Sequence, residues 1–273
     1  MKERIMVAIV CVPILFFVLF FLPAFVLAIV VAAICAISAY ELMHAIGTGE
    51  NKRIIVYAVI SAVLVPAGVY FGVGAIALKA VLLVLMCLTF IEAVAAFKTD
   101  RQITFAQILV TLFCGALIPY FLSSLISLKL LPEGRLFVLL PIIAAFVTDG
   151  GAYFTGVLFG KRQAFPTVSP KKTVEGCIGG IVIGVAAMVV YGLIINSAVY
   201  DVRFWALIIY GLAGGLATEL GDLAFSLVKR EYNVKDYGKL LPGHGGMLDR
   251  FDSMVFAAPA MYLLVTVLPA IVV

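Results

Sequence analysis

Three aspartates stand inside or at the edge of strongly apolar segments, next to glycines and basic loops. They are Asp149 in AAFVTDGGAYF, Asp222 in ATELGDLAFS and Asp249 in GMLDRFD. An acidic residue inside a membrane span costs about 2.5–3.5 kcal/mol on insertion scales, so each aspartate needs a partner. That partner is either a nearby Lys or Arg or a shared divalent cation, which carboxylate oxygens bind and which nucleotide phosphates bring with them. Because all three lie close to basic loops, we favour a metal site.

Two of these aspartates have a second acid three positions away: Glu219 precedes Asp222, and Asp252 follows Asp249. Residues three apart share one face of a helix. In each pair, one acid could bind metal while the other orients it from outside the ligand set. Asp252 also lies near the predicted start of the last helix, where an acid that simply complements the helix dipole is the alternative.

The segment SPKKTVEG, residues 169–176, predicts a helix start with Ser169 as the N-cap and Pro170 at the first helical position. Lys171 and Lys172 would then lie at the positive end of the helix dipole, which is unfavourable unless an anion binds there. The pattern therefore indicates a phosphate site, with anchoring of a basic loop at the membrane surface as the alternative.

A glycine-rich turn, residues 243–246, offers backbone N–H groups to a phosphate without a Cβ in the way. Within it, His244 could hydrogen-bond to a phosphate oxygen or protonate it, although a structural loop histidine is the commoner case. The turn belongs to a polar run, residues 226–252, that carries four Lys/Arg in its first fourteen positions. Such a run beside a membrane indicates that a strongly charged ligand binds there.

These polar residues are embedded in a chain that offers little else to water. Of its 273 residues, 64% are hydrophobic and 12% are charged, and the mean hydropathy is +1.21. A typical soluble domain has about 25% charged residues, so lipid must be the main solvent of this chain. The sequence therefore predicts a polytopic integral membrane protein. Neither a Walker A nor a GxGxxG motif occurs, which excludes a standard soluble nucleotide-binding domain.

Apolar windows predict about nine membrane-spanning helices and therefore an all-α bundle, because a spanning backbone must satisfy its own hydrogen bonds. The windows are residues 5–22, 24–46, 54–71, 75–97, 103–126, 136–160, 174–196, 203–226 and 252–271. An odd number of spans puts the two termini on opposite sides of the membrane. The N-terminal side would carry 15 of the Lys/Arg residues and the other side 3. The positive-inside rule thus predicts a cytoplasmic N-terminus, an external C-terminus and cytoplasmic polar loops.

The acids and glycines concentrate in the second half of the chain, so we expect residues 136–273 to be the catalytic transmembrane region with its cytoplasmic loops. Residues 1–135 are expected to supply supporting helices, lipid access and oligomer contacts. Glycines at GxxxG spacing allow close helix packing, either within the chain or across the homodimer that we expect. They are Gly176, Gly180, Gly184, Gly211 and Gly215.

Residues 226–252 resemble the signature of the phosphatidate cytidylyltransferases, the CDP-diacylglycerol synthases. That signature has a Ser three positions before a Lys-Arg pair, then Lys-Asp, Gly-His-Gly-Gly and Asp-Arg-hydrophobic-Asp, and every position is present here. Residues 149–162 and 169–176 are also similar to the family, whereas the first 140 residues resemble it only in being membrane helices. The chain departs from many relatives at Glu219, where they carry Gln, and so adds a negative charge beside Asp222.

The resemblance implies that CTP and phosphatidate react to give CDP-diacylglycerol and pyrophosphate, with Mg²⁺, in phospholipid biosynthesis. The lipid phosphate would attack the α-phosphorus of CTP in line, at an active site on the cytoplasmic side of the inner membrane. Phosphatidate would reach that site from within the bilayer. Whether a second cation takes part is left open, and no nucleic-acid partner is expected.

The residues and the resemblance together assign three sets of side chains. Those assigned to catalysis are Asp222, Asp249, His244 and Arg250. Those assigned to metal are Asp222, Asp249, Asp149 and Glu219, with Asp252 as a support. Those assigned to phosphate or substrate are Ser169, Lys171, Lys172, Thr173, Lys229, Arg230, Lys235, Gly245 and Gly246.

Two alternative functions remain open. A related CTP-dependent transferase would act on another acceptor, an isoprenoid-ether lipid or a lipid alcohol. A transporter of an anionic solute would also contain intramembrane acids, but transporters usually show paired repeats with broken helices in both halves, and this sequence has no convincing internal repeat. The sequence also leaves open the roles of Glu41, His44 and Glu92, which lie near predicted helix ends where snorkelling suffices to explain them.

Overall fold

The computed structural model describes residues 13–49, 51–196, 201–240 and 245–272. Helix predominates in these residues, and eight of their helices are long and apolar enough to span a membrane. The prediction of an all-α polytopic membrane protein is therefore confirmed. The first predicted span, residues 5–22, lies partly outside the described residues, and its described part is helical over 13–20. The total of nine spans and the orientation of the termini stay predictions.

The chain forms two compact units. Unit 1 contains Met1–Leu130 and Glu231–Phe251, and unit 2 contains Leu131–Arg230 and Asp252–Val273. The expected division of labour between a supporting region and a catalytic region is a functional statement, and it stays a prediction.

Unit 1 contains three long helices, α1 Ala24–Ala45, α2 Lys52–Tyr70 and α3 Gly74–Ala95. Its fourth span is interrupted and consists of α4 Phe105–Leu112, a π-helical turn Phe113–Leu117, α5 Ile118–Leu122 and α6 Ser124–Leu130. Pro119 follows the π-helical turn and has no N–H group to donate, so a regular α-helical ladder cannot continue through this point.

Local sequence and packing explain this arrangement in unit 1. Thr104 and Gln107 form a capping box at the start of α4, each side chain accepting a hydrogen bond from the other residue's N–H group, at 3.2 and 3.0 Å. Val65, Val81 and Ala116, from α2, α3 and the π-helical turn, form a buried apolar core. Most of α3 lies outside that core, since only 11% of its apolar window is buried. The rest of the α3 surface is therefore available to lipid.

Unit 2 begins with a second interrupted span, which consists of α7 Gly134–Phe137, α8 Leu140–Ile142, a π-helical turn Ile143–Val147 and α9 Thr148–Phe159. An antiparallel hairpin, β1 Gln163–Phe165 with β2 Ser169–Thr173, leads into α10 Val174–Asn196. The other long helices are α11 Phe204–Glu231 and α12 Leu248–Val267, whose residues 248–251 belong to unit 1. Two short strands, β3 Asp201–Val202 and β4 Ile271–Val272, pair antiparallel.

Glycines allow the helices of unit 2 to approach closely. A Cβ on Gly180 would lie 2.7 Å from the carbonyl oxygen of Thr148, and one on Gly211 would lie 2.5 Å from the Cα of Val185. The first contact packs α10 on α9, and the second packs α11 on α10. These glycines at GxxxG spacing therefore serve packing within the chain. The expected homodimer is not tested by them and stays a prediction.

The predicted helix start at Ser169 is wrong, because residues 169–173 form strand β2. Helix α10 begins only at Val174, and the Thr173 hydroxyl accepts a hydrogen bond from the Gly176 N–H group at 3.1 Å, as an N-cap residue does. Strand β1 supplies hydrogen bonds to β2 that the isolated pattern could not reveal. The lysine pair of this segment consequently lies on a strand and not at the positive end of a helix dipole.

Candidate functional site

Four carboxylates of unit 2 come from three helices. Asp149 lies at the start of α9, Glu219 and Asp222 lie on α11, and Asp252 lies in the first turns of α12. Asp149, Asp222 and Asp252 are close enough to one another for each pair to repel electrostatically. Several like charges gathered in an apolar unit are unfavourable unless cations neutralise them. We call these four side chains the acid cluster.

Lys172 neutralises part of the acid cluster. Its Nζ lies 2.6 Å from Glu219 Oε2 and 2.7 Å from Asp222 Oδ2, and its side chain is only 17% exposed. Burial opposes the charged form of Lys172, but the Asp222 and Glu219 carboxylates outweigh it and raise the pKa of the ammonium above its ordinary value. Lys172 therefore stays protonated around neutral pH, and its side chain reaches from the hairpin to the carboxylates of α11.

Glu219 is the more buried of the two acids that α11 contributes to the acid cluster. Its Oε2 accepts the Lys172 bond and lies 3.6 Å from the Sγ of Cys177, which donates to it. Its Oε1 is buried and has no hydrogen-bond partner among the described residues. A buried carboxylate oxygen without a donor is costly and is normally satisfied by water, a proton or a cation. Lys172 also explains how the chain tolerates an acid beside Asp222.

Ser253 contacts the acid cluster, although its sequence context gave no indication of this. Its hydroxyl donates to Asp149 Oδ2 at 3.1 Å, and its backbone N–H donates to Asp252 Oδ1 at 2.8 Å. Lys229 Nζ lies 4.0 Å from Asp252 Oδ2, which is the limit for an ion pair. Asp252 is 7% exposed, so it is more than a surface acid that complements a helix dipole.

Gly221 explains how α11 and α12 bring their acids together. A Cβ at this position would lie 2.9 Å from the carbonyl oxygen of Asp252 and 3.0 Å from the Cα of Ser253. Any larger residue would push these helices apart next to Asp222. The Gly221-Asp222 sequence therefore lets α11 approach α12 closely and places the Asp222 carboxylate next to the point of contact.

In unit 1 the described end of the glycine-rich turn, Gly245 and Gly246, lies against Asp249. The Oδ2 of Asp249 accepts hydrogen bonds from the N–H groups of Tyr237, at 2.8 Å, and Gly246, at 3.0 Å. Gly245 adopts a φ of +84°, a conformation that other residues rarely adopt. Asp249 thus has a structural role in the turn, whatever its part in metal binding.

Glu41 of α1 is a second acid buried against this turn. Its Oε1 accepts from the Met247 N–H group and its Oε2 from the Leu248 N–H group, both at 3.0 Å. A Cβ on either Gly238 or Gly246 would lie 2.6 Å from the Glu41 Cδ, so a larger residue at either position would displace the Glu41 carboxylate. The sequence interpretation left Glu41 to snorkelling, yet only 6% of it is exposed. The argument that an acid in an apolar span needs a partner applies equally to Glu41 and could have singled it out.

The other predicted residues are in varied surroundings. Arg230 Nε donates to the Val168 carbonyl oxygen at 3.1 Å and so holds the end of the hairpin turn. Lys171, Lys235 and Arg250 are exposed, as suits side chains that await a ligand. His244 lies outside the described residues. The assignment of these side chains to phosphate or to catalysis stays a prediction.

The carboxylate oxygens of the acid cluster are the kind of ligand that Mg²⁺ takes, because the ion prefers hard oxygen ligands. The Oε1 of Glu219, which is buried without a partner in the described part of the chain, is one such oxygen. Within the described residues, however, no three His, Cys, Asp or Glu side chains converge closely enough to hold a metal ion by themselves. Mg²⁺ is usually held by one or two carboxylates plus substrate phosphates, so this arrangement suits a metal that arrives with a nucleotide. Whether Asp222 and Asp249 share one ion stays a prediction.

Comparisons with known proteins agree with this chemistry. A family model described as the cytidylyltransferase family matches residues 2–268. The phosphatidate cytidylyltransferase of Bacillus subtilis is 39% identical over 190 residues, which are 69% of this chain and 66% of that protein. The phosphatidate cytidylyltransferase of Thermotoga maritima is 36% identical over 178 residues, 64% of this chain and 63% of that protein. That of Staphylococcus saprophyticus is 39% identical over 132 residues, 48% and 50% respectively. The chain therefore aligns with less than two thirds of the length of each relative.

Proposed function

The chain belongs to the cytidylyltransferase family, and from this premise we propose that it is a membrane enzyme that converts CTP and phosphatidate to CDP-diacylglycerol and pyrophosphate. The observation that carries the proposal is the acid cluster with Lys172 in contact with two of its members. Carboxylates that bind a cation and a charged lysine are the groups needed to handle a nucleoside triphosphate inside an apolar unit. The names of the relatives support the choice of substrates.

The reaction requires little acid–base chemistry from the protein. An oxygen of the phosphatidate phosphate attacks the α-phosphorus of CTP and forms a new P–O bond. The bond from that phosphorus to the β-phosphate oxygen breaks, and pyrophosphate carries the electron pair away. A phosphate monoester is already anionic near neutral pH, so a strong general base is unnecessary. The main barrier is the approach of two polyanions, which demands neutralisation and alignment.

The residues divide between these two tasks. Lys172, which neighbouring carboxylates keep charged, and Lys229 at the edge of the acid cluster would bind phosphate oxygens. Arg230 would fix the hairpin that carries Lys172. When bound, Mg²⁺ would neutralise phosphate charge, held by Asp222 and Asp249 with Asp149 and Glu219 as further candidates. The acyl chains would stay in the bilayer, with the reacting headgroup on the cytoplasmic side of the inner membrane, and the enzyme would act as a homodimer.

The direct test is to incubate purified protein with α-labelled CTP, phosphatidate and Mg²⁺ and to follow both labelled lipid and pyrophosphate. We expect both products to form together and to disappear when a chelator is added. Phosphatidate should be compared with an isoprenoid-ether lipid and a lipid alcohol as acceptors. Transfer of label only to one of those acceptors would overturn the choice of phosphatidate, and the absence of any transfer would overturn the proposed activity.

A further inference from the structure

A cavity of about 570 Å³ lies in unit 1, outside every residue assigned to the reaction. It is formed by the start of α2, the end of α3 and the turn that follows α3. Its polar lining consists of Lys52, Arg53, Arg101, Asn51, Thr99 and Glu92. Three cations and one carboxylate give the lining an excess of positive charge, so its chemistry suits an anion.

The single carboxylate of the lining orients one of the cations. Arg53 Nη1 donates to both oxygens of Glu92, at 3.2 and 3.5 Å, and the Tyr57 hydroxyl donates to Glu92 Oε1 at 3.0 Å. These bonds use one nitrogen of the Arg53 guanidinium, which has further N–H groups to offer. Lys52 and Arg101 are exposed and form no ion pair with any described residue. Glu92 therefore fixes Arg53 without neutralising the lining.

The position of the cavity points to a lipid and not to a soluble anion. Lys52 begins one membrane span and Ala95 ends the next, so the cavity lies at the level where spans meet the headgroups. Immediately beside it, α3 exposes Ile91 and Val94, which are 65% and 76% exposed. An anionic lipid bound in the cavity would place its acyl chains against this apolar surface, whereas a soluble anion would gain nothing from it.

From these observations we propose that the cavity between α2 and α3 binds the headgroup of an anionic phospholipid, with its acyl chains against the exposed face of α3. The phosphate would contact Arg53, Lys52 and Arg101, and Asn51 and Thr99 would serve the glycerol hydroxyls. The volume of the cavity falls in the range of ordinary small-ligand sites, about 300–1,000 Å³. The site is separate from the proposed reaction and does not depend on it.

The test is native mass spectrometry of the purified full chain released from micelles doped with either phosphatidylglycerol or phosphatidylcholine. We expect a phosphatidylglycerol adduct that survives collisional activation, and no equivalent phosphatidylcholine adduct. The variant Lys52→Gln with Arg101→Gln should lose one such adduct per chain and bind at least about tenfold more weakly, as removal of two surface cations predicts. Both side chains are exposed, so folding should be unaffected and is checked by thermal unfolding.

A matched control removes two other exposed cations, Lys98 and Lys161, by the same change to Gln. Neither lines the cavity, so this control should keep the adduct. Equal adduct numbers in both variants would overturn the site. Displacement of the lipid by millimolar inorganic phosphate or glycerol phosphate would overturn its assignment to lipid in favour of a soluble anion. Because phosphatidylglycerol is not the proposed substrate, failure of this test leaves the proposed activity untouched.

Discussion

In unit 1 the carboxylates of Glu41 and Asp249 each accept two hydrogen bonds from backbone N–H groups, whereas in unit 2 those of Glu219 and Asp222 share the ammonium group of one lysine. All four side chains belong to an apolar chain in which an unpaired charge would be costly. The two kinds of partner, backbone N–H groups and a lysine ammonium, differ in whether a ligand can take their place.

Backbone N–H groups are fixed by the fold, so Glu41 and Asp249 hold a turn in shape. A lysine Nζ is carried on a flexible stem and can move from a carboxylate to a phosphate when a ligand arrives. The acid cluster is therefore suited to exchanging partners during a reaction, and the turn is suited to presenting rigid backbone donors. Removing a charge should thus have different consequences in the two units, and substitutions at four positions, each with a companion variant, test this difference.

The largest effect is expected for Asp249→Asn. The hydrogen bonds from Tyr237 and Gly246 both end on Oδ2, so an asparagine whose carbonyl oxygen occupies that place keeps them while the charge is lost. We expect turnover to fall by at least about 10²–10³-fold with the fold retained. Activity assays and thermal unfolding of the purified variant measure the two properties separately.

The companion variant Asp249→Ala removes the charge and the hydrogen bonds together. It should lose turnover and also about 1–3 kcal/mol of unfolding free energy, because two buried N–H groups lose their acceptor. Full activity in Asp249→Asn would show that the charge of Asp249 has no part in the reaction and that its role is confined to the turn.

The next effect is expected for Glu41→Gln. Each oxygen of Glu41 accepts one N–H group, so glutamine keeps one bond and sets its amide against the other donor. We expect unfolding free energy to fall by about 1–3 kcal/mol and turnover to fall by about 10–100-fold, as for loss of a residue that orients a site. Glu133→Gln, which changes a partly exposed acid paired with Arg135, is the matched control and should alter neither property.

Turnover unchanged in a destabilised Glu41→Gln enzyme would mean that the turn contributes only to stability. Turnover that falls while the KM for Mg²⁺ stays constant would instead identify Glu41 as a positioning residue that acts through the turn. The KM for Mg²⁺ distinguishes the two cases, since Glu41→Gln leaves every carboxylate of the acid cluster unchanged.

The membrane class and eight of the predicted spans follow from hydropathy, because lipid selects for apolar composition whatever the tertiary structure. The start of α10 shows where local patterns fail. Ser169 and Pro170 form a good N-cap pair in isolation, but pairing with β1 holds them in a strand. Hydrogen bonds from a hairpin partner outweighed the local preference for a helix start.

The site could be predicted only in part. Acids in apolar segments identified Asp149 and Asp222, which the structure brings close together in unit 2. The partners of the acids were harder to find, because Glu41 and Leu248 are 207 positions apart. Neither hydrophobic periodicity nor a helix-capping residue encodes such a contact, which arises from the packing of α1 against the turn. Ser253 was missed for a related reason, since a serine beside Asp252 gives no indication that its hydroxyl faces Asp149.

A smaller effect separates the two lysines of strand β2. Lys172→Ala leaves Glu219 and Asp222 without their shared cation, so we expect the KM for CTP or phosphatidate to rise about tenfold. Lys171 is exposed and Lys171→Ala should change KM by about twofold.

The pKa of Lys172 is raised in the folded protein, so its charge is present below the ordinary lysine pKa and is lost only as pH rises through the higher folded value. Its contribution to KM should therefore be constant around neutral pH, and an unchanged KM in both variants would assign the lysines to membrane anchoring.

The smallest effect is expected for Glu219→Gln, which introduces the residue that the resemblance places in many relatives. Lys172 keeps its contact with Asp222, and the acid cluster loses one of its four carboxylates, so repulsion among the remaining acids falls and α11 need not rearrange. We expect turnover to change by less than about tenfold, which corresponds to a change of roughly 1 kcal/mol in activation free energy. The Mg²⁺ concentration that gives half-maximal turnover should also change by less than about tenfold. Asp222→Asn, measured alongside, should lose far more activity because Asp222 is the assigned metal ligand. An equal loss in the two variants would make Glu219, with its unpartnered Oε1, a metal ligand as important as Asp222, and the acid cluster would then bind its cation through α11 alone.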